Sequence, residues 1–415
     1  MVNKRLFKNI FSLIVLQGSN YIFPLLTFPY LVRVLGVGNY GILMLCTSIM
    51  IFINVIIDYG FNITATKYIS INKQDHNKVN QKFIDVLSIK IVFTLIAGCI
   101  IFFLLTILPL DETMRICIGI SYLILLGNTL FPIWLFQGLE KMGVITYVNI
   151  IARFLVTVFV FSLVNSIEDL YVAVFLQTLY YVVPGFLALY FIKFKLKYEI
   201  KLSFSPIRIQ QELKEGFYVF LTTLWINFYN NGPLLLVGMI SGNLSAGNYG
   251  IGQRIQSAFF GLSQPFTQAL YPFICNVYEK DKKHYNRIIK IIMTSFLISS
   301  LLIVIILNSL LDYIVLLVVG EFNHNIGKLV GLFSYIIFLG ILNTILSRIL
   351  YSMNKQKVLN KVYMIGGLIF LSLSYPFTFF GDEFGMAFLV IVVECTILIS
   401  NLSITFKALK KLNTD

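Results

Sequence analysis

Twelve stretches of mostly apolar residues run the length of the chain, each near the roughly 20 residues a helix needs to cross a bilayer core. Six lie near 9–32, 41–61, 83–107, 115–137, 144–164 and 169–192. Six more lie near 215–240, 249–274, 289–318, 327–351, 358–378 and 384–406. Of the 415 residues, 58% are hydrophobic and only 12% charged, with a mean hydropathy of +0.85. Such a composition excludes a soluble enzyme, a disordered tail and a secreted disulfide scaffold. The first stretch follows Lys4, Arg5 and Lys8, as a signal peptide would. Its apolar run is too long, contains Gln17 and Asn20 and leads to no small-residue cleavage site, so it is expected to stay in the protein. The expected fold class is an all-α polytopic membrane protein.

The charges lie between these stretches. Lys and Arg outnumber Asp and Glu by 32 to 19, for a net charge of +13. Nucleic-acid binding would need those charges clustered on one soluble face. Instead, one alternating set of segments holds 26 of the 32 basic residues. It runs through Lys4, Arg5 and Lys8, then Lys67, Lys73, Lys78 and Lys82, then Lys141. It continues through 193–214 and Lys280–Lys290, and ends with Arg348–Lys361 and Lys407–Lys411. The opposite loops hold Asp111, Glu112, Glu168, Asp169, Glu321, Asp382 and Glu383. By the positive-inside rule both termini are expected to be cytoplasmic.

Cys46, Cys99, Cys117, Cys275 and Cys395 are isolated, which suits small buried hydrophobes better than disulfides or zinc ligands. His76, His284 and His324 are scattered over three loops and form no metal-binding pattern. There is no Gly-x-x-x-x-Gly-Lys-Ser/Thr loop for ATP hydrolysis, no loop large enough for a soluble catalytic domain, and no aspartate cluster for magnesium. The expectation is a transporter without a cofactor, not an enzyme.

Gly38-Asn39-Tyr40-Gly41-Ile42 recurs as Gly247-Asn248-Tyr249-Gly250-Ile251, about half a chain later. Each copy follows the first stretch of a set of six, and six is even. The halves are therefore expected to run the same way through the membrane, with their pseudo-symmetry axis along its normal. The expected organisation is a six-helix lobe over 1–200, a cytoplasmic linker over 201–214 and a second lobe over 215–415. A shared tight turn of Asn-Gly chemistry is the alternative explanation of the match.

Polar side chains recur at helical spacing inside several stretches: Gln17, Asn20, Pro24 and Thr27; Asn149, Arg153 and Thr157; Thr223, Asn227 and Asn231, with Trp225 nearby. A further stripe comprises Gln253, Ser257, Gly261, Gln264 and Gln268, with Arg254 beside it. Together such stripes are expected to line one cavity, though any one of them serves equally to bond two helices. Arg153 and Glu394 fall near mid-span, and Asp58 closes the second stretch in line with Asn54 and Asn62. Arg33 and Arg254 lie near the opposite face. Arginine suits a diphosphate in a partly dry cavity, because its planar fork matches phosphate oxygens and keeps its charge. Glu394 or Asp58 could take up and release an ion. Structural ion pairing is the alternative for Arg153, Glu394 and Asp58, the last with Lys67, and snorkelling to headgroups is the alternative for Arg33. Eight of the ten prolines fall within the stretches, a weak pointer to bent helices.

Three segments carry a resemblance. Pro29-Tyr30-Leu31-Val32-Arg33-Val34-Leu35-Gly36 with Asn39-Tyr40-Gly41 is similar to the start of polysaccharide-transporter proteins. So is Asp58-Tyr59-Gly60-Phe61-Asn62-Ile63-Thr64-Ala65-Thr66 with Tyr68-Ile69-Ser70, and so is Trp134-Leu135-Phe136-Gln137-Gly138-Leu139-Glu140-Lys141-Met142. The chain resembles the Wzx-type O-antigen flippases of the MATE-like superfamily that includes multidrug extruders and the lipid II flippase. The resemblance implies two six-helix lobes, pseudo-symmetric and alternating between inward- and outward-open forms. It also implies an undecaprenyl-diphosphate-linked oligosaccharide as substrate, a bacterial inner membrane, and an O-antigen polymerase and chain-length regulator as partners. Under it Arg153 and Arg254 are candidates for the diphosphate, and Arg33 is a further substrate-binding candidate. Asn149, Gln17, Asn227, Asn231, Trp225, Gln264 and Gln268 are candidates for the sugar. Rival readings are a drug or cation antiporter, which would lean on acidic cavity residues, a membrane-embedded polymerase or glycosyltransferase, which would carry a larger outer loop, and a non-transporting scaffold.

Overall fold

The computed structural model describes the backbone of residues 2–280 and 282–412. Side chains are described from Gly18 to Lys410, apart from 20, 21, 262, 264, 265, 268, 269, 272, 273, 276, 279–281 and 283. Gln17, Asn20, Gln264 and Gln268 therefore lie outside the described side chains.

Among the described residues the chain is helical throughout. It forms α1 (Val2–Asp58), α2 (Phe61–Asn72), α3 (His76–Ile107), α4 (Glu112–Ser121), α5 (Leu123–Leu130), α6 (Ile133–Gly138), α7 (Met142–Leu163) and α8 (Leu170–Phe191). There follow α9 (Pro206–Lys280), α10 (Lys282–Ser309), α11 (Leu311–Val319), α12 (His324–Ser352) and α13 (Gln356–Leu412). Eight stretches are long and apolar enough to cross a membrane. Two of these, Ile22–Asp58 and Gln356–Lys410, are broken at Gly36 and Asp382 and supply two legs each. With α9, broken at Gly242, the described residues hold twelve legs, matching the twelve apolar stretches. In a bilayer all-helical spans satisfy every backbone N–H and C=O internally.

Gly36 (φ 76°, ψ 160°) and Gly242 (φ 85°, ψ −177°) adopt a backbone region that side-chain-bearing residues avoid, so the chain reverses there within one residue. The repeated Gly-Asn-Tyr-Gly-Ile is accordingly no turn: in both copies it is helical and lies just inside the second leg. The fourth stretch, read as one span over 115–137, is divided into α4, α5 and α6. Pro132, which has no N–H to donate, stands between the last two. Of the five thiols, Cys46 and Cys117 are buried as expected, whereas Cys99 is exposed.

The chain divides into two compact units, Met1–Leu235 and Leu236–Asp415. In the first, α7 packs on α1 and α8, α5 on α8, and α2 on α6. Two of the segments that carried the family resemblance meet here. Gly138 of α6 is so close to α2 that a Cβ would lie 2.7 Å from Ile69, and Thr66 donates to the Trp134 carbonyl at 3.3 Å. In the second unit α12 packs on α13 and α10.

The repeated asparagine does the same task in each unit. Asn39 Nδ2 donates to the Ile167 carbonyl at 3.2 Å, in the connection between the fifth and sixth legs of its unit. Asn248 Nδ2 donates to Glu383 Oε1 at 2.8 Å, beside the break between the last two legs of the other. The neighbouring tyrosines, Tyr40 and Tyr249, are both buried against phenylalanines, Phe28 and Phe333. The ring partners are not equivalent, Phe28 lying on α1 itself and Phe333 on α12, so the repeat shows in where the two asparagines reach rather than in the ring contacts. In the connection over 164–169, Asp169 accepts from the backbone N–H of Asn165 and of Ser166 and from the Ser166 hydroxyl. Those donors hold its carboxyl below the usual carboxylate range.

Candidate functional site

On α7, Asn149, Arg153 and Thr157 follow one another at four-residue spacing and share a face. Arg153 is half-buried and lies about midway along the helix. Its Cζ stands 5.8 Å from the ring centre of Tyr180 on α8, within reach of a cation–π attraction. Asn149 Nδ2 donates to its own helix at Ile145 O, 2.8 Å away. The hydroxyls of Thr157 and Tyr180 are buried and have no hydrogen-bond partner. A permanent cation therefore sits inside an apolar span beside two idle hydroxyls.

At the Lys-rich end of the first unit Asp58 is the centre of a second cluster. Lys90 Nζ of α3 donates to Asp58 Oδ1 at 2.6 Å and to the Asn128 carbonyl at 3.3 Å. Asn54 and Asn62, one turn to either side, donate to Asp58 Oδ2 at 3.2 and 3.1 Å. The partner of Asp58 is thus Lys90, not Lys67. Tyr59, in the left-handed region at φ 43°, stacks on Phe220 with ring centres 4.7 Å apart.

The segment read as a linker is held along α3. Tyr198 stacks on His76 at 4.3 Å, Glu199 N donates to Asn80 Oδ1 at 3.0 Å, and Ser203 N donates to Ser88 Oγ at 2.9 Å. Pro206 then opens α9, a position that costs no hydrogen bond. From α9, Arg208 Nε reaches Asp85 at 3.1 Å, and Glu212 accepts from Lys82 Nζ at 2.5 and 2.6 Å. Lys82 and Arg208, counted in the sequence as charges of the cytoplasmic segments, are bound up in ion pairs, and Lys82 is 5% exposed.

In the second unit Glu394 is half-buried on α13. Asn343 of α12 donates to its Oε2 at 2.6 Å and to its backbone carbonyl at 3.0 Å. Asn401 donates to Asn343 Oδ1 at 3.4 Å, and Ser347 bonds Tyr363 at 2.8 Å. Arg254 is half-buried on the second leg of α9, and its Nε is buried without a partner. Among the described residues no group of three or more His, Cys, Asp and Glu could hold a metal.

The other expected residues are less concentrated. Arg33 is exposed one turn from Gly36. Asn227 and Asn231 meet, Nδ2 to Oδ1, at 3.3 Å, and Asn227 also donates to Thr223 O at 3.0 Å. Trp225 is two residues from Asn227, about 200° round the helix at roughly 100° per residue, and is 53% exposed. It does not share their stripe. Lys90, Lys82, Asp85, Glu212, Asn343 and Tyr363 were not singled out as site residues. For Lys90 the signal was present as one lysine inside Ser88-Ile89-Lys90-Ile91-Val92-Phe93, since a charge within a span is a functional pointer by itself.

Comparison with known proteins places these features in a family. Residues 6–278 match the family described as polysaccharide biosynthesis protein. A relative from Escherichia coli K12, named "Putative O-antigen transporter", is 32% identical over 98% of this chain and 97% of its own. One of the same name from Shigella dysenteriae is 25% identical over 94% and 98%. Among solved structures, the lipid II flippase MurJ in an inward closed conformation shares the fold with a TM-score of 0.64 at 14% identity, covering 97% of this chain and 90% of that one. An inward-facing MATE family multidrug transporter of the MOP superfamily gives 0.60 at 14% identity, covering 95% and 99%. With its family match spanning more than half its length and a full-length relative at 32% identity, this multi-pass membrane chain belongs to the polysaccharide biosynthesis protein family.

Proposed function

We propose that the protein is a flippase for an undecaprenyl-diphosphate-linked O-antigen oligosaccharide, which it carries from the cytoplasmic to the periplasmic leaflet of a bacterial inner membrane. In this reading it works by alternating access, with its Lys-rich end and both termini in the cytoplasm. The names of its full-length relatives support the substrate class. The single observation that carries the reading is Arg153, a charge that cannot be discharged, held midway along a membrane-spanning helix. An arginine there is costly unless it meets an anion. A diphosphate that must cross the hydrocarbon is such an anion, while the lipid tail can remain in the bilayer. Arg254 is the corresponding candidate in the second unit, and the neutral amides of Asn149, Asn227 and Asn231 suit sugar hydroxyls. Glu394 and Asp58 are the candidates for ion coupling, each engaged by asparagine amides.

The test is genetic and chemical. Cells lacking the gene should accumulate the lipid-linked oligosaccharide on the cytoplasmic leaflet and lose surface glycan. Arg153→Ala and Arg254→Ala, inserted at normal levels, should fail to restore it. Surface glycan at the wild-type level in the Arg153→Ala strain would remove Arg153 as the diphosphate ligand. An intermediate that still reached the periplasmic leaflet in the deletion strain would remove transport as the function.

A further inference from the structure

We propose that the hydroxyls of Tyr180 and Thr157, with the guanidinium of Arg153, form a cradle within the first unit for one phosphoryl group of an isoprenyl diphosphate. This rests on the substrate reading above and deepens it by assigning two uncharged phosphate ligands.

Both hydroxyls differ from most of their kind among the described residues, Thr405 being another without a partner. Thr94, Thr146, Thr223, Thr344 and Thr378 all donate to the carbonyl four residues back in their own helices. Thr157, 8% exposed, does not, and has no other partner. Tyr30, Tyr122, Tyr285 and Tyr363 each bond a carbonyl or hydroxyl. The buried hydroxyl of Tyr180 bonds nothing. A buried polar group left unpaired costs about 1–3 kcal/mol, so two of them beside one cation call for a ligand that satisfies both.

Position agrees. Tyr180 lies under the Arg153 guanidinium, and Thr157 stands one turn along α7 on the same face. α7 and α8 are joined by the short connection over 164–169 and pack side by side, hence antiparallel. A helical side chain leans toward the N-terminus of its own helix. Tyr180 therefore leans toward the end of α7 where Thr157 stands. A phosphoryl group offers several acceptor oxygens and no donor, which suits a fork of N–H donors completed by O–H donors. Hydroxyls add hydrogen bonds without adding charge, so they favour phosphate while leaving it free to depart.

The experiment titrates the purified full chain in nanodiscs with farnesyl diphosphate, using farnesol as the control. Tyr180→Phe keeps the ring under Arg153, and Thr157→Val keeps the volume. Each deletes only an unpaired hydroxyl, so thermal stability should hold or rise. Each variant should weaken farnesyl diphosphate binding about tenfold, the order expected for one hydrogen bond to a charged group. Farnesol binding should not change, and Thr157→Ser should restore diphosphate affinity. Wild-type affinity in both Tyr180→Phe and Thr157→Val, with Arg153→Ala still impaired, overturns the cradle alone. If the wild-type protein does not prefer farnesyl diphosphate to farnesol, the diphosphate reading fails and the cradle with it.

Discussion

Lys90 Nζ lies 2.6 Å from Asp58 Oδ1 and ties the body of α3 to the end of α1, with the lysine side chain 3% exposed and the aspartate 20%. Two asparagines and a carbonyl complete the coordination of the pair. Charges at such burial persist because each answers the other. Removing one partner leaves an uncompensated charge, whereas removing both leaves only a packing defect. Lys90→Ala and Asp58→Ala should each cost about 3–5 kcal/mol of stability. Lys90→Met with Asp58→Asn should cost clearly less than either. Thermal unfolding of the purified variants checks this, and a double variant costing as much as the two single variants together would show that the pair is not coupled.

The helix breaks give a test of backbone conformation free of packing. An added Cβ at Gly242 would meet nothing within 4 Å, and one at Gly36 only Ile167 Cδ1 at 3.9 Å. Both backbones occupy the region that essentially only glycine tolerates. Gly36→Ala and Gly242→Ala should each cost about 1–3 kcal/mol through backbone strain alone. Gly18→Ala, in a helical part of α1 with nothing within 4 Å, should cost nothing measurable. Equal melting temperatures for all three would refute the assignment of the breaks to glycine geometry.

Acid sensitivity is expected at the opposite end of the first unit, from Asp169. Donation from Asn165 N–H, then from Ser166 N–H and the Ser166 hydroxyl, lowers its carboxyl below the usual range. A depressed carboxylate contributes stability above its unfolded value and loses that contribution as pH falls through its folded value. The connection over 164–169 should therefore stay protected from amide exchange at neutral pH. It should open only on acidification below the ordinary carboxylate range. Asp169→Asn should remove that acid step and expose the connection at all pH values. An acid step of unchanged size in Asp169→Asn would assign it to another group.

How much of this was legible in the sequence depends on how far apart the interacting residues are. Hydropathy is additive along the chain, so the twelve legs showed plainly, and so did the alignment of Asn54, Asp58 and Asn62 within single helical turns. Gly36 and Gly242 were visible, but the structure compresses each reversal into one residue, so the repeated motif that looked like a turn lies inside a helix. Lys90 was hidden because averaging dilutes one lysine among Ile89, Ile91 and Phe93, and its partner is 32 residues away. Lys82 and Glu212 are 130 residues apart, and nothing in local composition joins them. Thr157 stood in the stripe with Arg153, but Tyr180 escaped for another reason: an idle hydroxyl is recognisable only once every possible partner has a position.

The repeated asparagines provide a comparison in which one substitution is made twice against different acceptors. Asn39 serves a backbone carbonyl, that of Ile167, in an exposed setting. Asn248 serves the carboxylate of Glu383, which is 6% exposed. Losing a bond to an exposed carbonyl lets water take its place, so Asn39→Ala should cost about 0.5–1.5 kcal/mol. Losing a donor to a buried carboxylate leaves that group unpaired, so Asn248→Ala should cost about 2–3 kcal/mol. Asn248→Ala with Glu383→Gln should be more stable than Asn248→Ala alone. Thermal unfolding of the three variants decides it. If Asn39→Ala proved the more damaging, the order of the two acceptors would be reversed and the charge of Glu383 would not be what Asn248 holds.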